Sequence, residues 1–153
     1  MEYEQAFYLK LLMEIGITDD FDNMLDEMLE NENPLSNLTL ALLDCNGNRN
    51  EQIHVLNEYI NNVPLEQINT DAVFYMLVDK FKLIYEENPK LIGKIAQWMS
   101  TIAVSSNLCY QQPWYTMYQM EDYCYLSNTG VYDKDIFKND FLQLLYQKKL
   151  INH

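Results

Sequence analysis

Structure-breaking residues are scarce in this chain, with four glycines and four prolines among 153 residues. A many-turned sandwich or barrel needs such residues at frequent intervals, so their scarcity favours long helices. Histidine is scarcer still, at His54 and His153. That shortage removes the usual general base for a Ser or Cys nucleophile and the clustered imidazoles of a zinc site. His54, flanked by Ile53 and Val55, reads as a partly exposed structural residue. The three cysteines, Cys45, Cys109 and Cys124, form no CxxC pair and leave one over in any disulfide scheme, which fits a reducing compartment. No apolar run approaches the about 18 residues of a membrane span. The opening Met1-Glu2-Tyr3-Glu4 is acidic where a secretion signal is basic. A cytoplasmic protein without membrane contact is expected.

Positive charge is short as well. Ten Lys and Arg residues face 23 Asp and Glu, for a formal charge of -13 and a pI near 4.3. Such a surface repels nucleic acid and anionic membrane, both of which need cationic contacts. It attracts basic proteins and speeds encounter with them. Acidity can also serve solubility alone.

What the chain does have is core material. Hydrophobic residues make up 48% of it and aromatics 13%, including 12 tyrosines, enough for a packed interior rather than disorder. The length suits one domain over residues 1–153. Phe7, Leu11 and Ile15 predict a helix over Tyr3–Ile15, stopped by Gly16. Phe21, Met24, Leu25, Met28 and Leu29 give an amphipathic helix over Asp19–Glu30, with Asp19 or Asp20 as cap. Asn33-Pro34 reads as the cap and first residue of a third helix through Leu35, Leu38, Leu42 and Leu43. A fourth spans Asn50–Asn61, with Ile53, Leu56 and Ile60 on one side, followed by a short turn at Pro64.

The strongest pattern starts at Asn69 or Thr70 and runs through Val73, Phe74, Leu77, Val78, Phe81 and Tyr85, widened by Met76, Leu83 and Ile84; it predicts a central, buried helix. Asn88-Pro89 opens another, through Ile92, Ile95, Met99 and Ile102, with Trp98 in the core. Pro113 opens an aromatic helix to Tyr125, although Tyr110 to Tyr125 also has strand character. Ser127 to Gly130 is a loop, and Asp133–Leu150 closes the fold with Lys148 and Lys149 at its C-terminus. The expectation is an all-α, irregular bundle of about six to eight helices, with paired-helix, solenoid-like packing as its variant.

Motifs that could carry chemistry fail on spacing. Asp44-x-Asn46-x-Asn48 begins like a calcium loop, but the sixth and twelfth positions hold Arg49 and Val55 where Gly and a bidentate acid are needed. An Asn/Gly turn explains it better. The scattered glycines allow no phosphate loop. Glu86-Glu87 and Glu121-Asp122 are sequential neighbours and point apart on a helix, while Asp22 and Asp26 lie on a solvated face. A catalytic acid needs a desolvated or charge-coupled setting. No enzyme, cofactor or metal is expected.

Two surfaces remain. Residues 19–32 hold seven acids and no base, and Met1 to Glu32 hold ten acids against Lys10. On the second helix Asp19, Asp22, Asn23, Asp26 and Glu30 form a polar stripe opposite Phe21, Met24, Leu25 and Met28. Every amphipathic helix has a solvated face, but like charges at i, i+3 and i+4 oppose helix formation, and a basic ligand would turn that repulsion into attraction. The second surface is Tyr110, Trp114, Tyr115, Tyr118, Tyr123 and Tyr125, rings that suit either interface hot spots or bundle core.

In size, acidity, tyrosine content and want of catalytic motif, the chain resembles the bacterial immunity proteins that neutralise polymorphic or contact-dependent inhibition toxins. Its Asn-, Lys-, Ile- and Tyr-rich usage suits an AT-rich bacterial genome. The resemblance implies a protein partner, a basic toxin domain of nuclease type. It would be steered by Asp19, Asp22, Asp26, Glu27 and Glu30 and anchored by Trp114, Tyr115 and Tyr118. A helical adaptor gripping a partner helix or peptide on an exposed Met/Leu patch, formed by Met24, Met28, Met117 and Met120, is the alternative.

Overall fold

The computed structural model describes residues 1–147, and among them are eight α-helices and no strand. The expected all-α class holds. The chain divides into two compact units, Met1–Val73 and Phe74 onward.

The first unit holds α1 (Tyr3–Glu14), α2 (Asp19–Asn31), α3 (Asn37–Asp44), α4 (Arg49–Ile60), a single 3₁₀ turn at Leu65–Gln67 and the first turn of α5 (Thr70–Glu87). Its main packing joins α1 to α4, while α3 touches both α2 and α4. A stack of helix pairs would contact only its nearest neighbours; here the first helix closes onto the fourth, as in a bundle. Ala6, Phe7, Leu9, Leu11, Leu12 and Met13 are all buried on α1, and helices apolar on most sides belong in a core. The expected stop at Gly16 is present: its φ is +85, and the N–H groups of Gly16 and Ile17 close on the carbonyls of Met13 and Leu12 at 3.0 Å. The caps expected at Asp19 or Asp20 are absent, because Thr18 occupies the cap position without a side-chain bond.

The third helix begins later than Asn33-Pro34 suggests. Glu32 accepts the Ser36 N–H at 2.9 Å and the Thr39 hydroxyl at 2.7 Å. Ser36 Oγ in turn accepts the Thr39 N–H at 3.2 Å. A serine with both helix-start and upstream partners outcompetes the Asn-Pro pair as cap, which stays in the connection. Thr39 is thereby fully buried, a core position won by a hydroxyl with somewhere to donate, whereas Leu40 and Leu43 are exposed. On α4 the cap is Asn48, accepting the Glu51 N–H at 3.1 Å. The buried line is Gln52, Leu56 and Ile60, with Gln52 replacing the expected Ile53.

The second unit holds the rest of α5, a 3₁₀ turn at Pro89–Leu91, α6 (Ile92–Ser105), α7 (Trp114–Asn128) and α8 (Lys134–Tyr146). The α6–α7 contact is the most extensive, followed by α7–α8. The α5 pattern packs as expected at Phe74, Leu77, Val78 and Phe81, all buried. Phe74 meets Trp114 edge-on at 5.7 Å between centroids, and Tyr85 meets Phe141 at 5.4 Å. Leu83, expected on the apolar stripe, faces solvent. Asn69 caps α5 through the Ala72 N–H at 3.0 Å, and Asn88, followed by Pro89, accepts the Lys90 N–H at 3.2 Å. Asp133 caps α8 through the Asp135 N–H at 2.7 Å. The ambiguous aromatic segment is helical from Trp114 to Asn128, which absorbs much of the loop expected at Ser127. Trp98 is half-buried rather than core, with Lys94 Nζ 5.7 Å from its ring centre. The expected helix end at Leu150, with Lys148 and Lys149, lies outside the described residues, as does His153.

The α2–α3 junction makes a measurable acid response. The Ser36 N–H, and then the Thr39 hydroxyl, hold the Glu32 carboxyl below its ordinary value. A carboxyl lowered on folding adds stability that is complete above its unfolded pKa, about 4.3 for glutamate, and is lost as pH falls through the folded value. Glu32→Gln is expected to flatten that part of the acid-unfolding profile, followed by circular dichroism in fixed urea, and an unchanged profile would contradict the junction's role. Removing the cap by Ser36→Ala should lower unfolding stability by about 1 kcal/mol.

Candidate functional site

Charge divides sharply between the two units. Of the 23 acids, 15 fall in Met1–Val73 against Lys10 and Arg49, whereas the rest of the chain carries eight acids and eight lysines. The whole formal charge of -13 therefore belongs to the first unit, and the second is balanced.

Within the first unit, the predicted acidic stripe is partly consumed by the fold. Arg49 Nη1 and Nη2 reach Asp22 Oδ1 and Oδ2 at 2.6 and 2.8 Å. This two-pronged geometry is the strong form of an ion pair. The same guanidinium donates to the buried Gln52 Oε1 at 3.2 Å and lies 6.0 Å from the Phe21 ring centre. Asp22 is thus neutralised by the chain itself, and its assignment to the docking face is corrected: it holds α2 to α4. Asp20 accepts the Tyr8 hydroxyl, and Glu32 organises α3 as described.

Asp19, Asp26, Glu27 and Glu30 are exposed. Asp26, Glu27 and Glu30 have no hydrogen-bond or ion-pair partner among the described residues. At i, i+1 and i+4 on α2 they project to one side, opposite the buried Phe21, Met24 and Met28. Leu29, 39% exposed, borders this stripe and offers apolar contact beside the charge. Next to it a groove of about 190 Å³ is lined by Met1, Gln5, Met24, Glu27, Met28 and Asn31. Thioether walls under a carboxylate suit the aliphatic stem and cationic head of a lysine or arginine.

The second predicted surface is dismantled at its centre. Trp114 is 0% exposed: as the first residue of α7 it turns inward against Phe74, and its indole N–H finds no hydrogen-bond partner among the described residues. Its assignment as a partner anchor is corrected to core. Tyr115 is exposed and Tyr118 half-buried, and their rings meet at 6.3 Å. Tyr123 stacks on Tyr132 at 5.6 Å, while Tyr110 and Tyr125 are largely exposed. Met24, Met28, Met117 and Met120 are all buried, so the exposed methionine patch expected of an adaptor is not formed by these residues.

Among the described residues no three His, Cys, Asp or Glu side chains gather as a metal site, and no described helix is long and apolar enough to cross a membrane. His54 is exposed and reaches Glu58 at 2.9 Å. Burial raises the thiols of Cys45 and Cys124, which keeps both protonated. No family model, curated protein or solved structure matches this chain.

Sequence reasoning placed the acidic excess in Met1 to Glu32 but not its extension over the whole first unit, and it missed the methionine-lined groove. Summing charge over each half of the chain carries the first signal; the second needs helix packing. The contrast between neighbouring aromatics is directly testable. Trp114→Ala should cost about 3–5 kcal/mol in urea unfolding, by loss of a buried ring. Tyr115→Ala, at a site 39% exposed, should cost less than about 1 kcal/mol.

Proposed function

We propose that this chain is a non-catalytic, protein-binding inhibitor of the immunity type, which docks a basic, nuclease-type toxin domain on the outer face of α2. The observation that carries this reading is the gathering of the whole formal charge into one unit, with Asp26, Glu27 and Glu30 left without internal partners. Unpaired carboxylates on one helix face repel each other and add nothing to folding. A lysine- or arginine-rich surface converts that repulsion into steering and contact energy. Leu29 and the adjoining groove add the apolar contact that charge alone does not provide. Asp19 borders the same face, while Asp22 supports it through Arg49. Tyr115, with Tyr118 beside it, is a second contact candidate by virtue of its exposed ring.

The function is tested by growth rescue. The reading requires a basic toxin domain encoded beside this gene; expressed alone, that domain should arrest a bacterial host, and co-expression of the chain should restore growth. Absence of such a domain, or arrest that the chain does not relieve, overturns the immunity reading. The docking face is tested separately by surface plasmon resonance against that domain. Asp26→Lys, Glu27→Lys and Glu30→Lys combined should lower the association rate about tenfold or more at low salt and flatten its salt dependence. The same rate in the triple variant would remove α2 from the interface.

A further inference from the structure

A pocket in the second unit shares no residue with the proposed docking face. Its wall is formed by Ile92 and Gly93 from α6, Cys124, Ser127 and Asn128 from α7, and Phe137 with Lys134 and Lys138 from α8, around an open space of about 310 Å³. That is the small end of the range for ligand cavities. Its body is apolar: an isoleucine, a phenylalanine, and a cysteine whose thiol stays protonated because burial raises it. Space is kept open by Gly93, since a Cβ there would meet nothing within 4 Å except Cys124 Sγ at 3.8 Å.

The rim has the opposite character. Lys134 and Lys138 stand one turn apart on α8 and project to the same side. Both are exposed, and neither has an ion-pair or hydrogen-bond partner among the described residues. In a chain where acids outnumber bases 23 to 10, two neighbouring lysines without a carboxylate partner are conspicuous. The nearest capping acid, Asp133, is engaged with the Asp135 N–H at 2.7 Å. Neither Asp133 nor Asp135 forms an ion pair with Lys134 or Lys138, so both ammonium groups are available to an anionic ligand.

We propose that this pocket binds a small amphiphilic monocarboxylate, with its hydrocarbon body against Ile92, Phe137 and Cys124 and its carboxylate at Lys134 and Lys138. An aliphatic chain matches a largely apolar, solvent-open pocket, and a single carboxylate complements two ammonium groups at its mouth. The site belongs wholly to the second unit, so it stands or falls independently of docking by α2.

Octanoate is the probe, with octanol and octylamine as neutral and cationic counterparts of the same chain length. Titration calorimetry should detect octanoate binding, and nuclear magnetic resonance should place saturable shifts at the Gly93 and Ser127 amides. Octanol should bind about tenfold more weakly, the equivalent of one charge-assisted contact, and octylamine should not compete. Lys134→Ala with Lys138→Ala, both at exposed positions, should bring octanoate down to the octanol level. Gly93→Leu should fill the pocket and abolish binding of both; if that variant does not fold, the lysine pair decides alone. Equal binding of octanoate and octanol, shifts centred elsewhere, or full affinity in the double lysine variant would overturn the assignment.

Discussion

Fifteen carboxylates and two cations share the first unit, and its polar contacts make sense as responses to that imbalance. Like charges held in a compact body repel, and hydrophobic burial has to outweigh the repulsion. Arg49 serves Asp22 and Gln52 together, and Lys10 sits 3.4 Å from Glu14. With both cations engaged, further carboxylates are relieved by neutral donors. The Tyr8 hydroxyl serves Asp20, the Asn69 N–H serves Glu4, and Ser36 and Thr39 serve Glu32. These donors also fix helix starts and connections, so relief of charge and definition of the fold are one set of bonds. Asp26, Glu27 and Glu30 on the outer face of α2 are among the carboxylates that receive no such donor from the described residues.

Much of this architecture is legible in the sequence because local chemistry decides it. Asn88-Pro89 and Asp133 announce helix starts in residues that supply the capping oxygen, and Phe74, Leu77, Val78 and Phe81 keep a spacing only a helix can bury on one side. The extent of α2 follows from its apolar spacing, although the expected Asp19 or Asp20 cap is absent. Failures occur where a side-chain partner, near or far in sequence, decides. Nothing local distinguishes Asn33-Pro34 from Ser36 as the start of α3; Glu32, reaching forward to Ser36 and Thr39, does. Gln52 reads as solvent-facing until Arg49 satisfies its amide. Asp22 reads as one more carboxylate on the stripe until α4 brings Arg49 to it.

The aromatic helix is the instructive case. Trp114, Tyr118 and Tyr125 share one side of α7, so periodicity cannot rank them, and hot-spot chemistry is shared by buried and exposed rings alike. Packing ranks them instead. Trp114 enters the core beside Phe74, whereas Tyr115, its neighbour, remains at the surface. The same dependence on packing explains why the groove at Met24 and Met28 and the pocket at Gly93 have no signature in the chain. Each gathers residues from separate segments whose sequence distance carries no information about proximity.

The proposed docking face gives the charge imbalance a consistent energetic logic. Salt screens exposed charges over about 8 Å at physiological ionic strength, so it relieves repulsion among the α2 carboxylates and at the same time weakens their pull on a cationic partner. Fold stability and association rate should therefore move in opposite directions with salt when the same carboxylates govern both. A bound basic domain does what salt does for stability, but locally and with fixed geometry, and a partner that binds only the folded state adds its binding free energy to that state. An unrelieved acidic face is thus a local weakness of the isolated chain that such a complex would remove. Asp22 lies outside this exchange, because Arg49 already neutralises it in the free protein. The contrast along one helix, with Asp22 paired across to α4 and Asp26, Glu27 and Glu30 left without an internal partner, follows from where the chain's single arginine is placed.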